Sequence, residues 1–406
     1  MKTSFSLGAA ALTAAILLNA CGGGQSGESL NASNFSESQK SQVALVQDNS
    51  NRISVGANHV LAVDTTGIVY AWGDNSDGQL GSAAPSSTDY PVTVLGMSNI
   101  QSVKAGYTHS VALAKNGLVF GWGENSQGAI GTGNYTLRAT PIQVVGMSNV
   151  KAIAAGQSHT EALRNDGTVW AWGNMGAAAQ AQPQMVAGLS NVKAISAGGQ
   201  FAVALRTDGT VWAWGNNAHG QLGTNRAAYI STPVLVVGLS NAVAIAAGDS
   251  HVVAMKDDGS VWAWGLNANG QLGLPVSVAS STVPKQIAGA KKAVSISAGF
   301  GDSALVDATG KIQVLGDGTL GQTGNGKTVI VNPYPINATL LTKQAYYIGF
   351  GSGNAAVLLQ DGTVQTFGKN TLGQLGDKNY LSSFTPMPVS GVNGVNQLRL
   401  GFNAAR

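Results

Sequence analysis

Three groups of residues in the 406-residue chain have types and spacings that could do chemistry. Gly321 to Thr328, GQTGNGKT, matches the phosphate-cradling pattern G-x-x-x-x-G-K-[ST] letter for letter. That loop holds phosphate when it joins a strand to the N-terminus of a helix, where backbone N–H groups converge on the anion. Here VIVNPYPIN follows, β-branched and twice broken by proline, so no helix is expected and the glycines belong to a repeat. His59, His109, His159 and His251 recur at about one repeat interval, which could suggest a metal. Zinc wants three or four ligands converging at about 2 Å, and equivalent positions in separate repeats stand too far apart, so these are read as structural histidines that bond the backbone of a neighbouring unit or turn. Asp249-Ser250-His251 has the three types of a nucleophilic relay, but adjacent strand residues face opposite ways. Asp74 to Gly78 lacks both the spacing and the distal glutamate of a calcium loop. No catalytic residue, metal ligand or cofactor is assigned, and the chain is read as no enzyme.

The elements that carry these residues form a repeat. A glycine recurs at Gly56, Gly106, Gly156, Gly198, Gly248, Gly299, Gly351 and Gly401, each the start of a similar unit. A period near 50 residues signals a propeller, solenoid or array. Within the units Asn116-Gly117, Asp166-Gly167, Asp208-Gly209, Asp258-Gly259 and Asp361-Gly362 supply the positive φ angles of tight hairpins. The strand after each hairpin alternates, and all eight tryptophans fall there, which suits blade cores. Seven intervals argue for seven blades. The sixth and seventh units have drifted from the pattern, with Gln313-Val314-Leu315 and Gln365-Thr366-Phe367 in place of Trp-Ala-Trp. The third is eight residues shorter than its neighbours and runs from Asn174 into a stretch rich in Ala and Gln, without a GQLG segment. A leftover strand at Leu398 to Arg406 and a short one at Val43 to Val46 suggest a ring closed by strands from both termini.

The combined pattern A-G-x-x-H-x-x-A-L, D-G-x-V-W-A-W-G and N-x-x-G-Q-L-G, followed by a proline-led strand such as Thr232 to Val236, resembles the regulator of chromosome condensation repeat. The resemblance covers residues 43–406 and implies a protein-binding, all-β, seven-bladed β-propeller of four-stranded antiparallel blades. Family members that exchange guanine nucleotide on a nuclear GTPase use an inserted wedge, and no interval here has room for one. A secreted bacterial branch that inhibits β-lactamases has shorter repeats.

Met1 to Ala20 has one lysine, the apolar run Leu7 to Leu18 and then small residues, the layout of a secretory signal. Leu18-Asn19-Ala20-Cys21 resembles the lipobox of bacterial lipoproteins, which implies cleavage before Cys21 and lipidation of that residue, the only cysteine. Residues 21–42, rich in Gly, Ser and Asn, read as a flexible tether, with the propeller over 43–406. The formal charge is +3 with no basic run, so no nucleic-acid footprint is visible.

What varies between units is the loop before the proline-led strand, with Tyr90, Tyr135, Arg138, Arg226, Tyr229, Tyr334, Tyr380 and Phe384 as candidate partner-binding residues. The chain is therefore expected to be a monomeric, lipid-anchored, extracytoplasmic protein-binding module of a bacterial envelope. The alternative is an inhibitor or regulator of a periplasmic enzyme such as a β-lactamase or a cell-wall hydrolase.

Overall fold

The computed structural model describes residues 51–226, 228–290, 293–338 and 340–395. The described residues form seven four-stranded antiparallel sheets, each built from one continuous stretch: 53–93, 100–143, 150–185, 192–235, 242–286, 293–337 and 345–388. These are blades 1 to 7, and the architecture is the all-β propeller that the repeat implies. In each blade the strands run in chain order, the first lining a central channel and the fourth at the rim. Antiparallel order puts the turn between strands one and two on the same side as the loop between strands three and four. The hairpin between strands two and three lies on the other side.

The hairpins owe their form to local chemistry. Asp166 Oδ1 accepts from the backbone N–H of Thr168 at 2.9 Å and from its hydroxyl at 2.7 Å, and Asp208 does the same for Thr210. The glycine that follows each aspartate sits at positive φ.

Blades pack face to face, and the sequence reading of the tryptophans needs one correction. Trp72, Trp122, Trp172, Trp214 and Trp264 are buried between blades, but Trp170, Trp212 and Trp262 are only half-buried. These three sit near the hairpin end of the strand, where Arg164 and Arg206 lie 4.3 Å over the rings of Trp170 and Trp212.

The ring closes between blades 7 and 1 by the contacts used elsewhere. Val60 and Trp72 share a core cluster with Leu358 and Val389, and the indole of Trp72 donates to the Gln374 carbonyl at 3.1 Å, across 302 positions of sequence. After blade 7 the chain returns to blade 1, where Thr65 N–H donates to Gly394 O at 2.9 Å. The two closing strands expected at Val43 to Val46 and Leu398 to Arg406 lie outside the described residues, as do the signal segment, the tether and Cys21.

Candidate interaction surface

A latch recurs, whole or in part, at five of the seven blade junctions among the described residues, and it accounts for most of the prominent residues. At the junction of blades 1 and 2, the Ser110 hydroxyl donates to Gln79 O at 2.7 Å, and the Trp122 indole donates to the same carbonyl at 2.8 Å. His59 Nε2 lies 2.9 Å from Ser110 Oγ. Since the serine has spent its only proton on the carbonyl, the histidine must donate, which assigns the Nε2–H tautomer. The pairs His109–Thr160 at 3.0 Å and His251–Ser303 at 2.9 Å repeat the arrangement. These histidines thus bond side-chain hydroxyls of the next blade, and His109 and His251 also meet the expected backbone partners there, at His159 and Asp302.

The glycine three residues before each histidine makes room for it. A Cβ at Gly56 would lie 2.5 Å from His59 Cε1 and 2.4 Å from Gly106 O. Burial lowers the pKa of His59 to about 3 and of His109 and His251 to about 4, so all three stay neutral.

Blade 3 breaks this arrangement. It lacks the GQLG loop, so nothing stands where Gln79 O accepts at the first junction. Trp214, only 2% exposed, has an indole N–H without a partner. His159 faces Ala202 in place of a hydroxyl, and its Nε2 lies 3.7 Å from Glu161 Oε1. Glu161 is fully buried where other blades have Leu61, Val111, Val203 and Val253, and burial pushes its carboxyl well above the usual range. A cleft of about 290 Å³, lined in part by Trp172, Met175 and Trp214, opens between blades 3 and 4.

The other sequence motifs resolve as scaffold. GQTGNGKT forms the loop between strands three and four of blade 6, with the strand Val329–Asn337 following it. Asp249 accepts from the Tyr107 hydroxyl across the channel while His251 turns into the blade interface, so the contiguous triad does not assemble. Among the described residues no three His, Cys, Asp or Glu side chains group as metal ligands.

The two ends of the channel differ. On the loop side Tyr107 stacks on Phe300 with 4.5 Å between ring centroids, and both line a pocket of about 80 Å³. On the hairpin side a cavity of about 450 Å³ is lined in part by Lys104, Lys151 and Lys193. The sequence analysis assigns these lysines no role. Lys151 and Lys193 hold the same place in blades 3 and 4, which was the available signal.

The candidate partner-binding residues lie on the loop side of the outer strands. Tyr90, Tyr135, Tyr229, Tyr334, Tyr380 and Phe384 are exposed, with Tyr334 the most open at 62%. Arg226 is exposed and Arg138 half-buried. Several lean on an adjoining blade: the Tyr135 hydroxyl donates to Ala179 O at 3.2 Å, and Phe384 packs where a Cβ on Gly321 would meet it at 2.8 Å. They are therefore spread around the rim over blades 1, 2, 4, 6 and 7 and do not form a single cluster.

Comparison with known proteins follows the same outline. The Regulator of chromosome condensation (RCC1) repeat is matched at residues 66–113, 116–163, 208–255 and 258–306. A second pattern of that description matches 51–79, 100–129, 150–177, 192–221 and 242–271. Prp20p of Saccharomyces cerevisiae, described with its binding to Gsp1p and histones, is 24% identical, with a TM-score of 0.74 over 85% of this chain and 89% of that one. Human WBSCR16 is 21% identical, with a TM-score of 0.71 over 80% and 94% of the respective chains. Both share the fold. With the matched repeats together spanning more than half of its length, the chain belongs to the Regulator of chromosome condensation (RCC1) repeat family.

Proposed function

We propose that this chain is a lipid-anchored, extracytoplasmic propeller that acts as a non-catalytic protein-binding module. The observation that carries the reading is the contrast between the blade junctions and the rim. The recurring His, Trp, Ser and Gly residues are spent on blade junctions, while Tyr90, Tyr135, Tyr334 and Tyr380 stand exposed at the loop ends of the outer strands. Exposed tyrosines on a rigid frame are a favoured means of protein recognition, because the ring offers contact area at little entropic cost. Prp20p, with the same fold, is a precedent for binding to proteins. The apolar run before Cys21 supports export, and the lipobox-like end supports the anchor. The absence of a basic run in the sequence argues against nucleic acid, and the reading takes the chain as a monomer.

Capture from envelope extract tests this. The wild-type chain is expected to retain a partner that a Tyr334→Ala, Tyr380→Ala, Phe384→Ala triple variant loses. Undiminished capture by the triple variant would overturn the assignment of the rim, and an unchanged membrane fraction for Cys21→Ser would overturn the anchor.

A further inference from the structure

We infer that the cleft between blades 3 and 4 is a docking slot for a partner's turn of the Gly-Gln-Leu-Gly type, which supplies a backbone carbonyl followed by an aliphatic side chain. The inference rests on the protein-binding reading above and names one site within it.

The occupant's chemistry is written in the other blades. Blades 1, 4, 5 and 7 carry GQLG at residues 78–81, 220–223, 270–273 and 373–376. In each, the carbonyl of the glutamine turns toward the following blade and the leucine, at Leu80, Leu222, Leu272 and Leu375, is fully buried in the junction. The carbonyls of Gln374, Gln79, Ala129 and Gln221 receive the indole protons of Trp72, Trp122, Trp172 and Trp264 at 2.8–3.1 Å. The closing glycine lies against the indole: a Cβ at Gly81 would stand 2.8 Å from Trp122 Nε1. Trp214 presents the same donor to a blade that has no such loop.

Three further features mark the place as vacant. Val186 is half-buried, whereas its counterparts Val94, Val144, Val236, Ile287, Ala338 and Val389 are no more than 7% exposed. Met175 replaces the asparagine that braces the loop in blades 1, 2, 4, 5 and 7, as Asn125 does when it accepts from Ile130 N–H at 3.0 Å. The lining of the cleft, which includes Trp214, Met175, Met185 and Tyr229, contains no charged residue. A neutral turn with an acceptor and an aliphatic group therefore complements it, and a buried donor without an acceptor costs stability that such a ligand would recover.

The test uses the full chain and a cyclised peptide containing the sequence of residues 267–274, NANGQLGL. Saturable binding is expected, with a shift of the Trp214 indole proton signal in the NMR spectrum. Trp214→Phe, which keeps the ring and removes the donor, should weaken binding about threefold to tenfold. Inserting the sequence of residues 217–224 after Asn174 should fill the slot in cis and abolish binding. Because that insertion could misfold, Met185→Asp at the exposed edge of the slot serves as a second variant, expected to weaken binding with an unchanged melting temperature. No saturable binding, or binding indifferent to both Trp214→Phe and Met185→Asp, overturns the inference. So does a Trp214 signal that moves when residues 22–42 are deleted, since the chain's own Gly24-Gln25-Ser26-Gly27 would then be the occupant. The peptide experiment needs no envelope partner, so its failure and the failure of the rim assignment are read separately.

Discussion

The junction of blades 1 and 2 and the junction of blades 3 and 4 are built on the same frame and end differently. At the first, one carbonyl, Gln79 O, gathers a serine hydroxyl and an indole, and the hydroxyl in turn receives a histidine, so the carbonyl, the hydroxyl and the indole are all paired. At the second, the loop that would bring the carbonyl is missing. The indole of Trp214 is unpaired, the histidine faces Ala202, and a buried carboxyl stands beside it. The difference teaches that the loop between strands three and four does more than connect them: it supplies the acceptor on which the buried polar groups of a junction depend.

Acid should produce the largest effect on this comparison. His59, His109, His159 and His251 are neutral in the fold, with burial lowering their pKa values to about 3, 4, 3 and 4 from 6.5. The unfolded chain takes up these protons near 6.5, so the stability they contribute is complete above that pH and is lost as pH falls toward 3–4. The melting temperature is expected to fall steeply between pH 6.5 and pH 4. A flat profile across that window would break the latch description.

Glu161→Val gives the next effect, with the opposite sign. Burial raises the folded pKa of Glu161 above its ordinary 4.5, so its contribution is most favourable below that value and declines as pH rises. Valine, the residue at this place in three other blades (Val111, Val203 and Val253), should stabilise the chain by about 1–4 kcal/mol at pH 8 and by less at pH 4. Denaturant titration at the two pH values checks this, and a loss of stability at pH 8 would mean that the carboxyl has a structural partner.

The smallest effect is the most direct. Trp122→Phe removes a hydrogen bond to Gln79 O, whereas Trp214→Phe removes a donor with nothing to bond. The first should cost about 1 kcal/mol more than the second. Equal costs in parallel denaturant titrations would show that the two junctions are alike after all.

Much of the fold was legible because it is local. The Asp-Gly hairpins, the alternating strand after them and the recurring glycine each act within a few residues, and a unit that cannot bury its own faces must stack on its copies. The candidate surface was legible only in part. The exposed tyrosines were found from what varies between units, but the lysines at the channel mouth and the half-burial of Trp170, Trp212 and Trp262 depend on which end of a strand meets solvent. The shortness of the third unit was plain in the sequence, yet its consequence was not. That consequence falls on Trp214, in the following blade.

By itself the sequence determined the number of blades, the hairpin within most of them and the residues available to join them, since period and alternation follow from backbone geometry. Only the tertiary structure decided who joins whom. The latch bonds connect residues one blade apart, Trp122 to Gln79 and Trp72 to Gln374, and whether a buried donor finds its acceptor depends on how two sheets are set against each other. Hydrogen bonds are short and directional, so a repeat can place the same donor in five blades without revealing that, at Trp214, the acceptor is absent.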